Sequence, residues 1–212
     1  MKIALLKRKI LNAGALCISF LKLIPDWFRL NKKSLVIDCG ANVGHISKLL
    51  ASTGAEVIAF EPEPITFDKL FQRCGKKKNI KLIRKGVWDK NAVIQFYSHQ
   101  ESTGSESCYT VGSSIIAEKI NVSTEKTQSI EVIDLVEFMR QQNRKIDLIK
   151  LDVEGAEIDI LHRIIATKTW NLFEKMYVET HETKIPSHKK ELRLIKEKLK
   201  EKRISNIKLN WI

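Results

Sequence analysis

Three things are scarce in this 212-residue chain, and each scarcity excludes something. Cysteine pairs are missing: Cys17, Cys39, Cys74 and Cys108 are scattered, with no C-x-x-C and no histidine at ligand spacing. A disulfide framework or structural zinc is therefore not expected, and a reducing cytoplasm fits. Long apolar runs are missing too, none reaching the length of a transmembrane helix. The third is net charge in the middle. The chain carries +12, yet residues 1–33 hold eight Lys/Arg against one acid and residues 184–212 hold ten against three. The 150 residues between them sum to −2, so the basicity belongs to the two ends. At 43% hydrophobic, the chain has enough apolar material for one sizeable core, read as a basic extension (1–33) and a single domain (34–212).

The N-terminal stretch has a basic start (Lys2, Lys7, Arg8, Lys9) and apolar residues from Ala13 to Leu21. Lys22 interrupts it and no small-residue cleavage site follows, unlike a signal peptide. Ile3, Leu6, Ile10, Ala13, Cys17, Phe20 and Ile24 recur at helical spacing, which predicts an amphipathic helix with a basic side. The expected role is a helix capping the core with its lysines solvated. The rival is peripheral contact of residues 1–30 with an anionic membrane, where each basic residue adds about 1 kcal/mol.

Strand-like runs then alternate with helical ones. Ser34–Cys39, Glu56–Phe60, Ile80–Lys85, Ile146–Asp152, Lys175–Thr180 and Ile204–Trp211 read as strands. Helices are expected after Gly44, over Ile65–Cys74, Ile133–Gln142 and Glu157–Ala166, and over His188–Lys202, with an extra ribbon at Ala92–Tyr97. This βαβ alternation predicts an α/β, doubly wound, mostly parallel sheet. Ser98–Ser129, rich in Ser, Thr and Gly, is expected to be a long substrate-selecting loop.

The most informative segment is Leu35-Val-Ile-Asp-Cys-Gly-Ala-Asn-Val-Gly44, a strand, a glycine-spaced turn and a helix start. Such a unit carries nucleotide-type cofactors. Gly40 and Gly44 permit close backbone approach and unusual dihedrals. Asp38 at the mouth of the loop would repel a pyrophosphate but suit a cationic cofactor such as S-adenosylmethionine, so the Asp38-x-Gly40-x-Asn42-x-Gly44 spacing points to methyl transfer before hydride transfer. Glu61, at the end of the second strand, can bond both hydroxyls of a ribose. Trp88 and Asp89 are read as ending the third strand, where an adenine could stack and its amino group find an acceptor; the alternative for Trp88 is a core residue with a satisfied indole. His45, just after the loop, would line the same pocket.

The second motif is Ile146-Asp-Leu-Ile-Lys-Leu-Asp-Val-Glu-Gly-Ala-Glu157. With Val36–Gly44, Phe60-Glu61-Pro62 and Ile130–Leu135, it makes the chain resemble the FkbM family of S-adenosylmethionine-dependent methyltransferases over about residues 34–182. The resemblance implies a class I methyltransferase (Rossmann-like) fold, S-adenosylmethionine as cofactor and O-methylation of a hydroxyl on a sugar, glycan or other secondary metabolite. Asp152, at a strand end facing the ligand crevice, would accept or orient the substrate hydroxyl's proton. Glu179 and His181 end the next strand beside it, with His181 the general-base candidate because its ordinary pKa lies nearest neutrality. Glu154 and Glu157 read as first-turn acids serving the helix dipole. An oxygen-rich set here would suit Mg²⁺ better than zinc, although no spacing demands a metal.

A nucleic-acid methyltransferase is the chief rival because of the basic ends. Base-amino methyltransferases usually carry an Asn/Asp-Pro-Pro-aromatic turn, whereas this chain has Asp152-Val-Glu-Gly155, an acidic mouth unfriendly to phosphates, so no nucleic-acid partner is expected. The lysines of 184–203 also alternate with Glu191, Glu197 and Glu201, as on an ordinary exposed helix. A non-catalytic protein that keeps the fold is the other alternative. Neither the acceptor nor the oligomeric state is legible.

Overall fold

The architecture follows from two periodicities: alternating residues along short strands that are buried on both faces, and helical stripes that cover those faces. The computed structural model describes residues 2–99 and 122–211. In chain order the elements are α1 (Lys2–Arg29), β1 (Leu35–Cys39), α2 (His45–Ala51), β2 (Glu56–Phe60), α3 (Pro64–Cys74), β3 (Ile80–Ile83), β4 (Gly86–Trp88), β5 (Ala92–His99) and β6 (Val122–Asp134). Then come α4 (Leu135–Arg140), β7 (Leu148–Leu151), α5 (Glu157–Thr167), a 3₁₀ turn (Thr169–Leu172), β8 (Met176–Val178), α6 (His188–Glu201) and β9 (Ile207–Lys208).

Six strands form one sheet in the order β3-β2-β1-β7-β8-β9, every pair parallel. The order reverses between β1 and β7, and ligands of open α/β sheets bind in the crevice beyond the strand carboxyl ends at such a switch. Leu35, Ile37, Cys39, Ile149, Leu151, Met176 and Val178 lie on one face with residues of α4, α5 and α6. Val36, Val57, Ala59, Leu148 and Tyr177 lie on the other, with Leu23 of α1 and residues of α2 and α3. The sheet is thus the middle of three layers.

The helix starts have local causes. Pro64 opens α3 with its φ pre-set, and the Glu63 carboxylate caps it by accepting from the Thr66 N–H at 2.6 Å. Asp134 caps α4 by accepting from the N–H groups of Val136 and Glu137.

Several expectations are revised. Gly86–Trp88 does not extend the third strand. It is a separate strand of a second sheet, β4-β6-β5, in which β4 runs parallel and β5 antiparallel to β6. The proposed Ser98–Ser129 loop is partly strand, because β6 begins at Val122; residues 100–121 lie outside the described residues. The last strand shrinks to Ile207–Lys208.

Over its described side chains the N-terminal helix caps the core with only part of the predicted stripe: Phe20 is half-buried against it, Cys17 and Ile24 are exposed, and Ile3, Leu6, Ile10 and Ala13 lie outside the described side chains. Among the described side chains, Ser19, Leu23 and Asp26 of the helix and Leu30 just beyond its end are buried, while Ile18, Leu21 and Phe28 are exposed as well. The reason is polar: buried Asp26 accepts from Tyr177 Oη at 2.9 Å and from Lys175 Nζ at 2.8 Å. That network turns the helix to face β8. No helix among the described residues is long and apolar enough to cross a membrane.

Candidate active site

At the switch point the loops after β1 and β7 touch. A Cβ on Gly40 would lie 1.8 Å from the Asp152 carbonyl oxygen, and the backbone there has φ +76°. The Asp152 N–H donates to Cys39 O at 3.1 Å, and the N–H groups of Gly40 and Ala41 both donate to Phe60 O. A Cβ on Gly44 (φ +85°) would meet Leu70 at 2.6 Å and Cys74 at 2.9 Å. The close approaches that the two glycines permit are therefore made by the protein's own backbone and by α3.

Beneath this loop lies a residue that the sequence reading passed over. Lys150 is 4% exposed and is the register partner of Asp38 across β1 and β7. Its Nζ donates to Gly40 O at 2.6 Å and stands 3.2 Å from Asp152 and 3.4 Å from Asp38. Burial opposes its charge, but the carboxylates of Asp152, Asp38 and Glu179 outweigh that and hold the ammonium above the usual lysine range. The available signal was a lone lysine in the apolar run Leu148–Leu151, since a buried charge requires partners. Asp38 itself is fully enclosed, with Oδ2 accepting from Ser47 Oγ at 2.5 Å. It braces the glycine loop from below, a correction to its expected place at the loop mouth.

Glu61 is 8% exposed, and its two oxygens accept from the N–H groups of Asn42 (2.9 Å) and Glu63 (3.0 Å). Burial pushes its carboxyl up to about 7, against the pull of those two amides. Each oxygen keeps a second lone pair for a ribose hydroxyl. Asn42 sits with φ 51°, its side chain accepting from the Val43 N–H at 2.6 Å. Asp89 holds a buried Oδ1 that accepts no hydrogen bond. Trp88 takes the packing alternative: its indole N–H donates to Asp159 at 2.8 Å, it packs against the core, and Lys90 Nζ sits 4.3 Å from its ring. His45 is exposed, and burial together with Arg73 and Lys48 lowers its pKa.

The carboxyl ends of β7 and β8 bring Asp152, Glu154, Glu157, Glu179 and His181 together. His181 is 2% exposed. Its Nδ1 lies 2.9 Å from Glu157, and Nε2 lies 3.0 Å from Glu154, 3.7 Å from Glu179 and 3.9 Å from Asp152. Burial disfavours its charge, but Glu154 and Glu157 override it and push the imidazole up to about 10. That stands above the ordinary histidine value from which His181 was read as the general-base candidate. Glu179 is pushed up to about 8, first by burial and then by Asp152. Glu154 and Glu157 are more than helix-dipole acids. Glu154 adopts φ 56° ahead of Gly155 (φ 129°), and Glu157, fully buried, also accepts from the backbone N–H groups of Gly155 and His181.

This geometry is accompanied by a family match. The model of the methyltransferase FkbM domain matches residues 38–202. Among curated relatives, "Methyltransferase 1" of Beauveria bassiana is 26% identical over 167 residues, covering 71% of this chain and 66% of that protein. "Hexuronic acid methyltransferase AglP" of Haloferax volcanii is 32% identical over 127 residues, covering 58% of this chain and 47% of that protein. The chain thus spans about half to two thirds of the length of these two relatives. Among solved structures, the METTL16 MTase domain aligns with TM-score 0.46 and 14% identity, covering 86% of this chain and 57% of that one.

Proposed function

This chain belongs to the family of FkbM-domain methyltransferases, and on that premise we propose that it is an O-methyltransferase acting on a saccharide hydroxyl. It has the class I methyltransferase fold, with S-adenosylmethionine as its cofactor. The observation that carries the acceptor reading is the acidic corner at the switch point. Asp152, 23% exposed, stands over Gly40 with Glu154 and Glu179 beside it. Hydrogen-bond donors such as sugar hydroxyls suit that corner, and phosphates do not. The relative AglP is named for a hexuronic acid, which is likewise a saccharide.

The chain's acceptor atoms fit the cofactor. Glu61 would hold the ribose diol, Asp89 Oδ1 would accept from the adenine amino group, and the Gly40–Gly44 loop braced by Asp38 and Lys150 would support both. When bound, the cofactor supplies an electrophilic methyl group. Asp152 accepts the hydroxyl's hydrogen and aligns the oxygen, while Lys150 keeps Asp152 in place from below. His181 fixes the orientation of Glu154, and Glu179 lines the acceptor's path. The free thiols of Cys17, Cys39 and Cys74 support a reducing, cytoplasmic setting.

Calorimetric titration with S-adenosylmethionine and S-adenosylhomocysteine tests the cofactor reading, with methyl transfer to a panel of neutral and acidic saccharides as the second arm. Micromolar binding that weakens in Asp89→Asn, and turnover lost in Asp152→Asn with binding kept, are expected. No binding by folded protein overturns the enzyme reading, and transfer to RNA but to no saccharide overturns the acceptor.

A further inference from the structure

From the geometry around His181 we infer that Asp152, Glu154 and His181 form a binding site for one divalent cation of the Mn²⁺ or Mg²⁺ class. One ligand atom from each lies within 4.8 Å of the others. Acids alone would not make a site; the imidazole makes the difference. His181 Nε2 is buried and points among the carboxylates of Glu154, Glu179 and Asp152; its one close contact is the 3.0 Å ion pair with Glu154, without an aligned hydrogen bond. Its other nitrogen is engaged by Glu157, itself held by two backbone N–H groups. A carboxylate on Nδ1 is the arrangement that orients metal-bound histidines, and a cation that takes Nε2 displaces the proton held there in the metal-free chain, releasing it to solvent. Two carboxylates and one imidazole, with open positions left for water or a hydroxyl, suit an octahedral, oxygen-preferring ion. Glu179, at 3.7 Å from the same nitrogen, is placed to hold a metal-bound water.

The site deepens the proposed function: it would seat the acceptor hydroxyl beside Asp152. Metal binding itself rests on the side chains alone, so the two readings fail separately. The test is Mn²⁺ titration of chelator-stripped full-length protein, read by electron paramagnetic resonance of free Mn²⁺ and by calorimetry. S-adenosylmethionine binding is measured on the same sample. One saturable site is expected, displaced by Mg²⁺, weakened about tenfold or more in Glu154→Gln and unchanged in Glu197→Gln on α6. No saturable Mn²⁺ binding by protein that still binds S-adenosylmethionine overturns the metal site and leaves the transferase. Equal affinity in parent and Glu154→Gln, with circular dichroism unchanged, also overturns it. Mn²⁺ binding without cofactor binding leaves the site and removes the transferase.

A separate observation concerns α1. Ile18 (46% exposed), Leu21 (66%), Ile24 (46%) and Phe28 (77%) make an outward apolar stripe on a helix whose opposite side is seated on the core. Lys32 and Lys33 follow it, within the 33-residue segment that carries eight Lys/Arg. An apolar stripe flanked by cations is complementary to an anionic bilayer surface, and we propose that this face docks there. Flotation with phosphatidylglycerol vesicles should enrich the protein, phosphatidylcholine vesicles should not, and Leu21→Asp/Phe28→Asp should abolish enrichment. No enrichment overturns docking, as does a dimer in light scattering that the same variant dissolves.

Discussion

Replacing Lys150 with methionine is the sharpest test of how the site is held. The stem can be kept, but the ammonium contacts to Gly40 O, Asp38 and Asp152 are lost. Asp38 is enclosed, and only Ser47 Oγ remains bonded to it. Breaking one partner of a buried ion pair costs roughly 3–5 kcal/mol, chiefly because the other charge stays buried. For a domain of this size, each kcal/mol moves Tm by about 2–4 °C, so a fall of roughly 6–20 °C is expected. Urea unfolding at neutral pH, followed by circular dichroism on metal-free protein, gives the free energy. In Asp38→Asn/Lys150→Met the enclosed charge is gone with its partner, so the double variant should regain part of the loss. A Lys150→Met loss below about 1 kcal/mol, or a double variant no better than the sum of the singles, would refute the reasoning.

Three further outcomes follow from the same geometry. Glu61 and Glu179, pushed up to about 7 and about 8, and His181, pushed up to about 10, all bind protons more tightly folded than unfolded. Their contribution is fully present below the unfolded values and is lost as pH rises, at about 1.4 kcal/mol per pH unit for each extra proton held. Metal- and cofactor-free protein should therefore lose stability from pH 6 to pH 9, and a denaturation midpoint that rises over that range contradicts the charge assignment. Gly40→Ala drives a Cβ into the Asp152 carbonyl and should abolish folding or cofactor binding, whereas Gly14→Ala in α1 meets nothing within 4 Å and should stabilise by about 0.5–1 kcal/mol in thermal melts. Glu157→Gln retains the shape but removes the carboxylate on Nδ1, so the His181 proton resonance titration should move down toward the ordinary histidine range; an unmoved titration excludes Glu157 as a cause of the shift.

Local chemistry made much of this legible before any coordinates. Alternating strands and helices specify a doubly wound sheet because each apolar run needs a cover, and the Asp38–Gly44 and Asp152–Glu157 motifs fall at strand ends where loops meet. Caps such as Asp134 act within a few residues and are equally local. Other features depend on partners distant in sequence. Whether an acid is a surface charge or a buried brace depends on what stands across the sheet, and Asp38 faces Lys150 only because β1 lies beside β7. The pKa of His181 is set by Glu154 and Glu157, brought to it by α5 and its leading turn. The seated side of α1 over its last turns depends on distant partners in the same way. Helical periodicity reports which side is apolar, but Asp26 bonding to Tyr177 and Lys175 decides which side meets the core. Sequence alone determined the fold class and the two strand-end loops that meet at the switch point, because those rest on local spacing; the tertiary structure decided charge states and orientation, because both are set by long-range neighbours away from bulk water.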